Sequence, residues 1–380
     1  MGTRWALPVL LGAVYLLVAH LPMGADWHYH FCPFSRALLF DSAKLYDSAG
    51  SWYNPPWLLP LLVPFVLLPE AQGLLAYRLV ELVVVGYAAA TFGCRSGAKL
   101  WPFVLVMGSL PVWDSLVTGN VDIWALLGLT VLAQAARRQN PYLFGAGLAL
   151  ALLKPQESLI AVVAVLPAVR SWHRNVIIRA LGMLAGIGGL SALLAGYDWL
   201  PRMVRMIQDL PPASHYSIAL WSLLRDMAGL MGWPAGVVVL EAVLWAGVLV
   251  CCWRRPDVYE RLALGVAAGP VVMPHVPSPG LVLPMVLAWP RLIEQGRYVA
   301  AGVTYGMQAL YLLRFFFPWE THRLLTLFPV VLVIMLLLTN DRGASRAFTT
   351  PSSSPEAKSD DSSEKAPLAR SNETRSSRRG

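Results

Sequence analysis

Apolar residues in this 380-residue chain gather into long runs separated by short polar gaps. The first run is "WALPVLLGAVYLLVAHLPMG"; others lie near 57–69, 71–93, 100–117, 121–136, 142–154, 157–170, 176–196, 234–253, 260–273, 280–290, 298–317 and 323–339. None alternates with the period-two pattern of a barrel strand, and a bilayer otherwise admits only helices, so these runs predict an all-α fold. Several are shorter than the ~20 residues that cross hydrocarbon untilted, and many contain proline. Both features point to kinked or broken helices around a water-filled pocket. The expectation is a polytopic membrane protein of about 11–13 transmembrane helices.

Two segments break the pattern. Residues 22–56, "PMGADWHYHFCPFSRALLFDSAKLYDSAGSWYNPP", are mixed, and Phe34, Ala37, Leu38 and Phe40 predict a short interfacial helix there. After Leu338 the chain becomes rich in Ser, Lys, Glu and Asp, so 341–380 is expected to be a disordered cytoplasmic tail and 1–340 the transmembrane domain.

Composition agrees with the pattern: 56% of residues are hydrophobic and 14% charged, and the mean hydropathy is +0.54. The net charge of +8 is scattered over short gaps, which reads as membrane topology and excludes a nucleic-acid footprint. Cys32, Cys94, Cys251 and Cys252 have no metal-ligand spacing and form no disulfide framework. No A-x-A site follows the first run, so it is read as an uncleaved span. "MGTR", "ARRQNP", "RSWHRNVIIR", "CCWRRPDVYER", "PRLIEQGR" and "NDRGASR" are expected to face the cytoplasm. Threading then puts 22–56, "LLKPQES", 196–217, "MPHVPSPG" and "FFFPWETHR" on the outer face. Reaching "ARRQNP" inside leaves a parity mismatch, read either as one earlier run that does not cross, with the proline-rich 57–69 run as the candidate, or as Arg95 and Lys99 lying outside.

The outer face gathers the chemistry. Asp26 stands at a membrane boundary, where a carboxylate is costly to desolvate and is read as solvated loop, helix N-cap or functional base. Lys154 in "ALALLKPQES" is either a snorkelling lysine or a cation for an anionic group, and Arg202 and Arg205 are open to the same reading. His275, between two prolines, has a side chain able to donate to a phosphate. Asp122 and Glu157 add polar groups near membrane edges. Trp27, Tyr29, Trp52, Tyr53 and Trp57 are either an interfacial belt or stacking surfaces for sugar rings. Asp26, His28 and His30 supply metal donors, but the His-x-His spacing suits a strand better than the expected helix and no fourth ligand is evident. No metal or cofactor is assigned.

In order along the chain stand Asp26, "LYD" at 45–47, "YNPPWLLPLL" at 53–62, "TGNVDIWALLGL" at 118–129, "GAGLALALLKPQ" at 145–156 and "HYSIALWSLLRDMAGL" at 215–230. This arrangement resembles the GT-C class of membrane glycosyltransferases, within it family 87, which includes bacterial polyprenyl-phosphate-mannose-dependent mannosyltransferases. The likeness runs over most of 1–340. The family's "YPP" stands here as Tyr53-Asn54-Pro55-Pro56, its "GQ-x-N" as Gly119-Asn120-Val121-Asp122, and the aspartate after its late Ser-Pro as Gly280. The resemblance implies a GT-C-type bundle and a hexose, mannose first, moving with inversion from a polyprenyl-phosphate-linked donor to a hydroxyl of a glycolipid or glycan acceptor. Catalysis would lie on the outer face of the plasma membrane. Asp26 matches the family's catalytic base. Lys154, Arg202, Arg205 and His275 are assigned to the donor phosphate, and Trp27, His28, Tyr53, Asn120, Asp122 and Gln156 to the sugar and acceptor.

The rival from another class is a secondary transporter or lipid flippase for a glycolipid or polyprenyl-linked intermediate. Transporters place ionisable groups near the bilayer midplane and show two related halves. Here the ionisable residues cluster at one boundary and no halves are visible.

Overall fold

The computed structural model describes residues 12–40, 46, 54–93, 100–170, 172–209, 220, 234–273, 276–310, 312 and 321–338. Among these residues there is no strand, and the protein is an all-α membrane protein. Tyr53, His275 and the expected tail 341–380 lie outside the described residues.

After a helical segment at 12–19, a π-helical turn, Trp27–Phe31, runs straight into α1, Cys32–Phe40. This is the short helix expected in the first polar segment. A 3-10 turn at Pro56–Leu58 opens α2, Leu59–Val66. Then come α3, Glu70–Gly93, and the pair α4, Leu100–Met107, and α5, Leu110–Thr118. Next are α6, Asp122–Arg138, α7, Pro141–Ala151, and α8, Pro155–Val165. Beyond them lie α9, Arg174–Ala195, α10, Trp199–Asp209, α11, Pro234–Trp253, and α12, Val258–Val272. Shorter elements include a 3-10 turn at Ser278–Leu281, followed by α13, Trp289–Glu294, α14, Tyr298–Gly306, and α15, Leu327–Leu337.

Among the described residues two helices are long and apolar enough to cross a bilayer alone, Glu70–Phe92 and Arg174–Ala195. Trp101–Met107 and Leu110–Thr118 pass the same test only as a pair, bent by 41°. Others are shorter: the eleven residues of α7 rise about 17 Å, little more than half of the ~30 Å hydrocarbon core. Pro56–Val66, from the run suspected of not crossing, is equally short. The chain therefore breaks its apolar runs often, and each break has a local cause. Pro155 pushes Lys154 out of the helical region, to φ −130°, and the run "GLALALLKPQESLIAVV" folds back on itself there. Gln139 ends α6 in the left-handed region, and Asn140 caps α7 by accepting from the backbone N–H of Tyr142 and Leu143, with Pro141 in the first turn.

Close helix packing fixes the level at which these breaks meet. A methyl group on Gly128 of α6 would lie 2.7 Å from the Gly147 carbonyl oxygen of α7. One on Gly265 of α12 would lie 2.6 Å from Ala161 Cα of α8. Small residues let the backbones touch, which is how helices associate where lipid offers no hydrophobic drive. Consequently α7 climbs along α6, turns at Lys154, and α8 descends along α12. The tip of that hairpin arrives beside the first residue of α6, Asp122.

Candidate active site

Lys154 is 7% exposed, and Asp122 is completely buried. The ammonium Nζ lies 3.0 Å from Asp122 Oδ1 and 3.8 Å from Glu157 Oε1. Two carboxylates thus already compensate the lysine that the sequence suggested for a donor phosphate. Asp122, expected to touch sugar or acceptor, is instead the inward-facing counter-ion of Lys154, because the first turn of α6 points into the bundle. Gly280 closes the cluster from above: a methyl group there would lie 2.7 Å from Glu157 Cδ. On the same 3-10 turn Ser278 is buried and its hydroxyl donates to Asp114 Oδ2 at 3.1 Å.

Asp26 joins this cluster through the α5–α6 corner. Gly119 ends α5 with φ +67°, its N–H bonded to the Ser115 carbonyl, and the left-handed turn aims Asn120 at the first loop. Asn120 Nδ2 donates to Asp26 Oδ2 at 2.7 Å, while its own Oδ1 accepts from the Val121 N–H. Asp26 already has helical dihedrals and makes no side-chain cap, which removes the N-cap reading. It is half-buried. Burial lifts its carboxyl above the ordinary value; Lys154 pulls it down, Asp122 pushes it up, and His30 and the Asn120 hydrogen bond pull it down, with a net upward shift.

The other residues fall around this centre unevenly. Trp27 is fully buried, its ring 5.1 Å from that of Tyr77, and Gly119 packs on its Cβ. The residue expected to stack on a sugar is therefore a core residue, turned inward by the same helical turn that leaves Asp26 half-exposed. His28 is exposed and its Nδ1 lies 2.6 Å from Glu70 Oε1, so it tethers the first loop to the start of α3. Gln156 is half-buried in the first turn of α8, next to the cluster. Arg202 reaches back to the Ala195 carbonyl at the end of α9 and to Asp198 Oδ1 at 3.3 Å, and Arg205 is exposed on α10. The Trp199 ring of α10 meets Trp57 edge-on at 5.8 Å, and the Trp57 indole N–H donates to the Ala149 carbonyl near the top of α7. That contact brings the segment after "YNPP" beside the Lys154 hairpin.

Three charged or polar groups went unnoticed in the sequence. Arg78 and Glu81 lie in the apolar run of α3, where ionisable residues are expensive and usually functional, and that position was the available signal. Arg78 donates to the carbonyls of Leu21, Pro22, Leu116 and Val117, tying the first loop to the end of α5. Glu81 is completely buried and accepts from the Ser115 hydroxyl. Asp114, the partner of Ser278, carried the same signal, standing inside the 100–117 run.

The fold and site define an all-α membrane protein with a carboxylate and a buried ion-pair cluster at one end of the bundle. The profile of glycosyltransferase family 87 matches residues 52–274, more than half of the chain. The chain belongs to that family and is a glycosyltransferase. Asn120, Asp122, Lys154, Gln156, Arg202 and Arg205 lie within the matched segment; Asp26, Trp27 and His28 precede it. No curated protein and no solved structure matches the chain.

Proposed function

We propose that this protein transfers a hexose, mannose first, from a polyprenyl-phosphate-linked donor to a hydroxyl of a glycolipid or glycan acceptor, with inversion and with Asp26 as general base. Asp26 takes the acceptor proton as that oxygen bonds to the anomeric carbon. The bond from that carbon to the donor phosphate breaks, and its electron pair leaves with the polyprenyl phosphate. Lys154, with Arg202, Arg205 and His275, opposes the charge that grows on the departing phosphate. Asn120, Gln156 and Tyr53 hold sugar or acceptor hydroxyls, with His28 at the rim.

One observation carries the choice of base. Of the three carboxylates coupled to Lys154, Asp122 and Glu157 are buried, whereas Asp26 is half-exposed and held by a neutral amide. A proton acceptor must reach its substrate and keep its basicity, and Asp26 meets both needs. The donor class rests on the resemblance and on chemistry: a polyprenyl tail dissolves in the bilayer and brings its phosphate to the boundary where this cluster stands.

The site faces outside a plasma membrane that the chain crosses several times, with the C-terminal tail in the cytoplasm. Two measurements test this reading. In purified protein returned to bilayers, Asp26→Asn is expected to lower transfer from polyprenyl-phosphate mannose by roughly 10²–10⁴-fold, and unchanged transfer overturns the base. In whole cells an impermeant thiol reagent should label Tyr29→Cys but not Arg138→Cys; the reverse pattern inverts the topology.

A further inference from the structure

Asp122 and Arg138 are the first and last of the seventeen residues of α6, about 24 Å apart along the helix, so the last turn of α6 stands at the other end of the bundle. A cavity of about 510 Å³ opens there among Thr91 near the end of α3, Gln134, Arg137 and Arg138 of α6, and Tyr259 in the first turn of α12. That volume lies within the ~300–1,000 Å³ of ordinary ligand pockets. The Arg137 guanidinium lies over the Tyr259 ring, 5.4 Å from its centroid, and Arg291 lies over the same ring at 5.7 Å.

Charge is balanced differently at these arginines. Arg291 is held by Asp257 Oδ2 at 2.8 Å and by Glu294. Arg137 and Arg138 are exposed and have no carboxylate partner among the described residues. Gln134 spends its amide N–H on Thr91 Oγ1 at 3.2 Å, and Thr91 donates in turn to the Tyr87 carbonyl. Complementing the helix dipole accounts for two arginines at the end of α6. It does not account for a recess between three helices walled by them. Around the recess, Tyr87 one turn below Thr91 and Tyr142 and Leu143 at the start of α7 are exposed apolar residues. They give an acyl chain a surface on which to lie.

We propose that this cavity binds the phosphate headgroup of an anionic bilayer lipid, in the leaflet opposite Asp26. Basic pockets between transmembrane helices suit such headgroups, and the exposed apolar rim favours a lipid over a soluble anion. The assignment is independent of the chemistry at Asp26.

The test uses the purified full-length protein in detergent, with phosphatidylglycerol, phosphatidylcholine or inorganic phosphate added, and reads the melting temperature together with lipid retained in native mass spectrometry. Phosphatidylglycerol is expected to be retained and to raise the melting temperature, and phosphatidylcholine to do neither. Replacing both arginines, R137Q with R138Q, should weaken phosphatidylglycerol binding roughly thirtyfold, about fivefold for each arginine; Arg138→Gln alone should give about fivefold without touching the Tyr259 contact. R137K with R138K should retain most of the binding, and Arg170→Gln, which removes an exposed arginine elsewhere, should change nothing. Equal retention of phosphatidylcholine, full binding by the double glutamine variant, or an equal loss in Arg170→Gln would overturn the site. Equal stabilisation by inorganic phosphate alone would overturn the lipid as its occupant.

Discussion

The amide of Asn120 donates to the carboxylate of Asp26 at 2.7 Å across 94 positions of sequence. This hydrogen bond favours the ionised acid and works against the burial that raises its pKa. Asn120→Ala removes that counterweight. The acid limb of the pH–rate profile is then expected to move to higher pH, and kcat near neutrality to fall about tenfold, as for the loss of one hydrogen bond to a charged group. Asn120→Asp should move the limb further in the same direction, because a second carboxylate adjoins the first. An unmoved limb in both variants shows that Asn120 does not tune the base.

Asp26 also links activity to stability. Its folded pKa lies above its unfolded value, so the folded state holds the proton more tightly. The stability this group contributes is fully present below the unfolded pKa and is lost as pH rises through the folded value. Asp26→Asn mimics the protonated form at every pH. The variant is expected to melt a few degrees above the wild type at neutral pH while its transfer activity falls, with the gap closing as the pH falls toward the ordinary carboxylate value. Thermal denaturation in detergent across that range checks it. A variant that melts lower than wild type at neutral pH contradicts the cost assigned to the ionised acid.

Lys154 and Asp122 form a buried pair, for which removing one partner costs far more than removing both. Lys154→Met leaves two carboxylates uncompensated and is expected to destabilise the protein by about 3–5 kcal/mol. Combining it with Asp122→Leu should recover part of that loss, since Glu157 remains, without recovering transfer. A double-mutant cycle on melting and on activity separates the two roles. If the double variant regains both, Lys154 serves only to neutralise Asp122.

The sequence exposed the class and most of the residues near the centre, because apolar runs and isolated ionisable residues leave one-dimensional marks. Lys154 was visible as a charge at the edge of a run, and Pro155 beside it marked the break that carries it to Asp122. What ran from residue to residue across helices was not visible. Nothing in "TGNVDIW" says that Asn120 turns toward Asp26 while Asp122 turns toward Lys154; the left-handed Gly119 decides it, in combination with the packing of Trp27 on that glycine. Trp27 misled for the same reason. An aromatic beside an acid reads as a sugar platform, yet a helical turn sends adjacent side chains about 100° apart, one to the rim and one to the core.

Arg78 gathers the two strands of backbone that meet at Asp26. Its guanidinium bonds to carbonyls at 21 and 22, just before the first loop, and at 116 and 117, just before Asn120. The carbonyls of Leu116 and Val117 lie in the last turn of α5, where no intrahelical donor serves them, and those of Leu21 and Pro22 lie in the irregular backbone after the first helix. Lysine keeps the charge but replaces a planar fork with a single ammonium, which cannot serve all four oxygens. Arg78→Lys is therefore expected to loosen the register between Asp26 and Asn120 without unfolding the bundle, at a cost of about 1–3 kcal/mol in stability. Because the Arg78 guanidinium is engaged by backbone carbonyls, KM for the donor should change little while kcat falls roughly tenfold or more, the penalty of a reacting group displaced by a fraction of an ångström. The acid limb of the pH profile should shift in the direction expected for Asn120→Ala, and combining the two substitutions should give less than the product of their separate effects, since both act on the same hydrogen bond. Fully multiplicative effects would show that Arg78 supports the fold but does not position the acid.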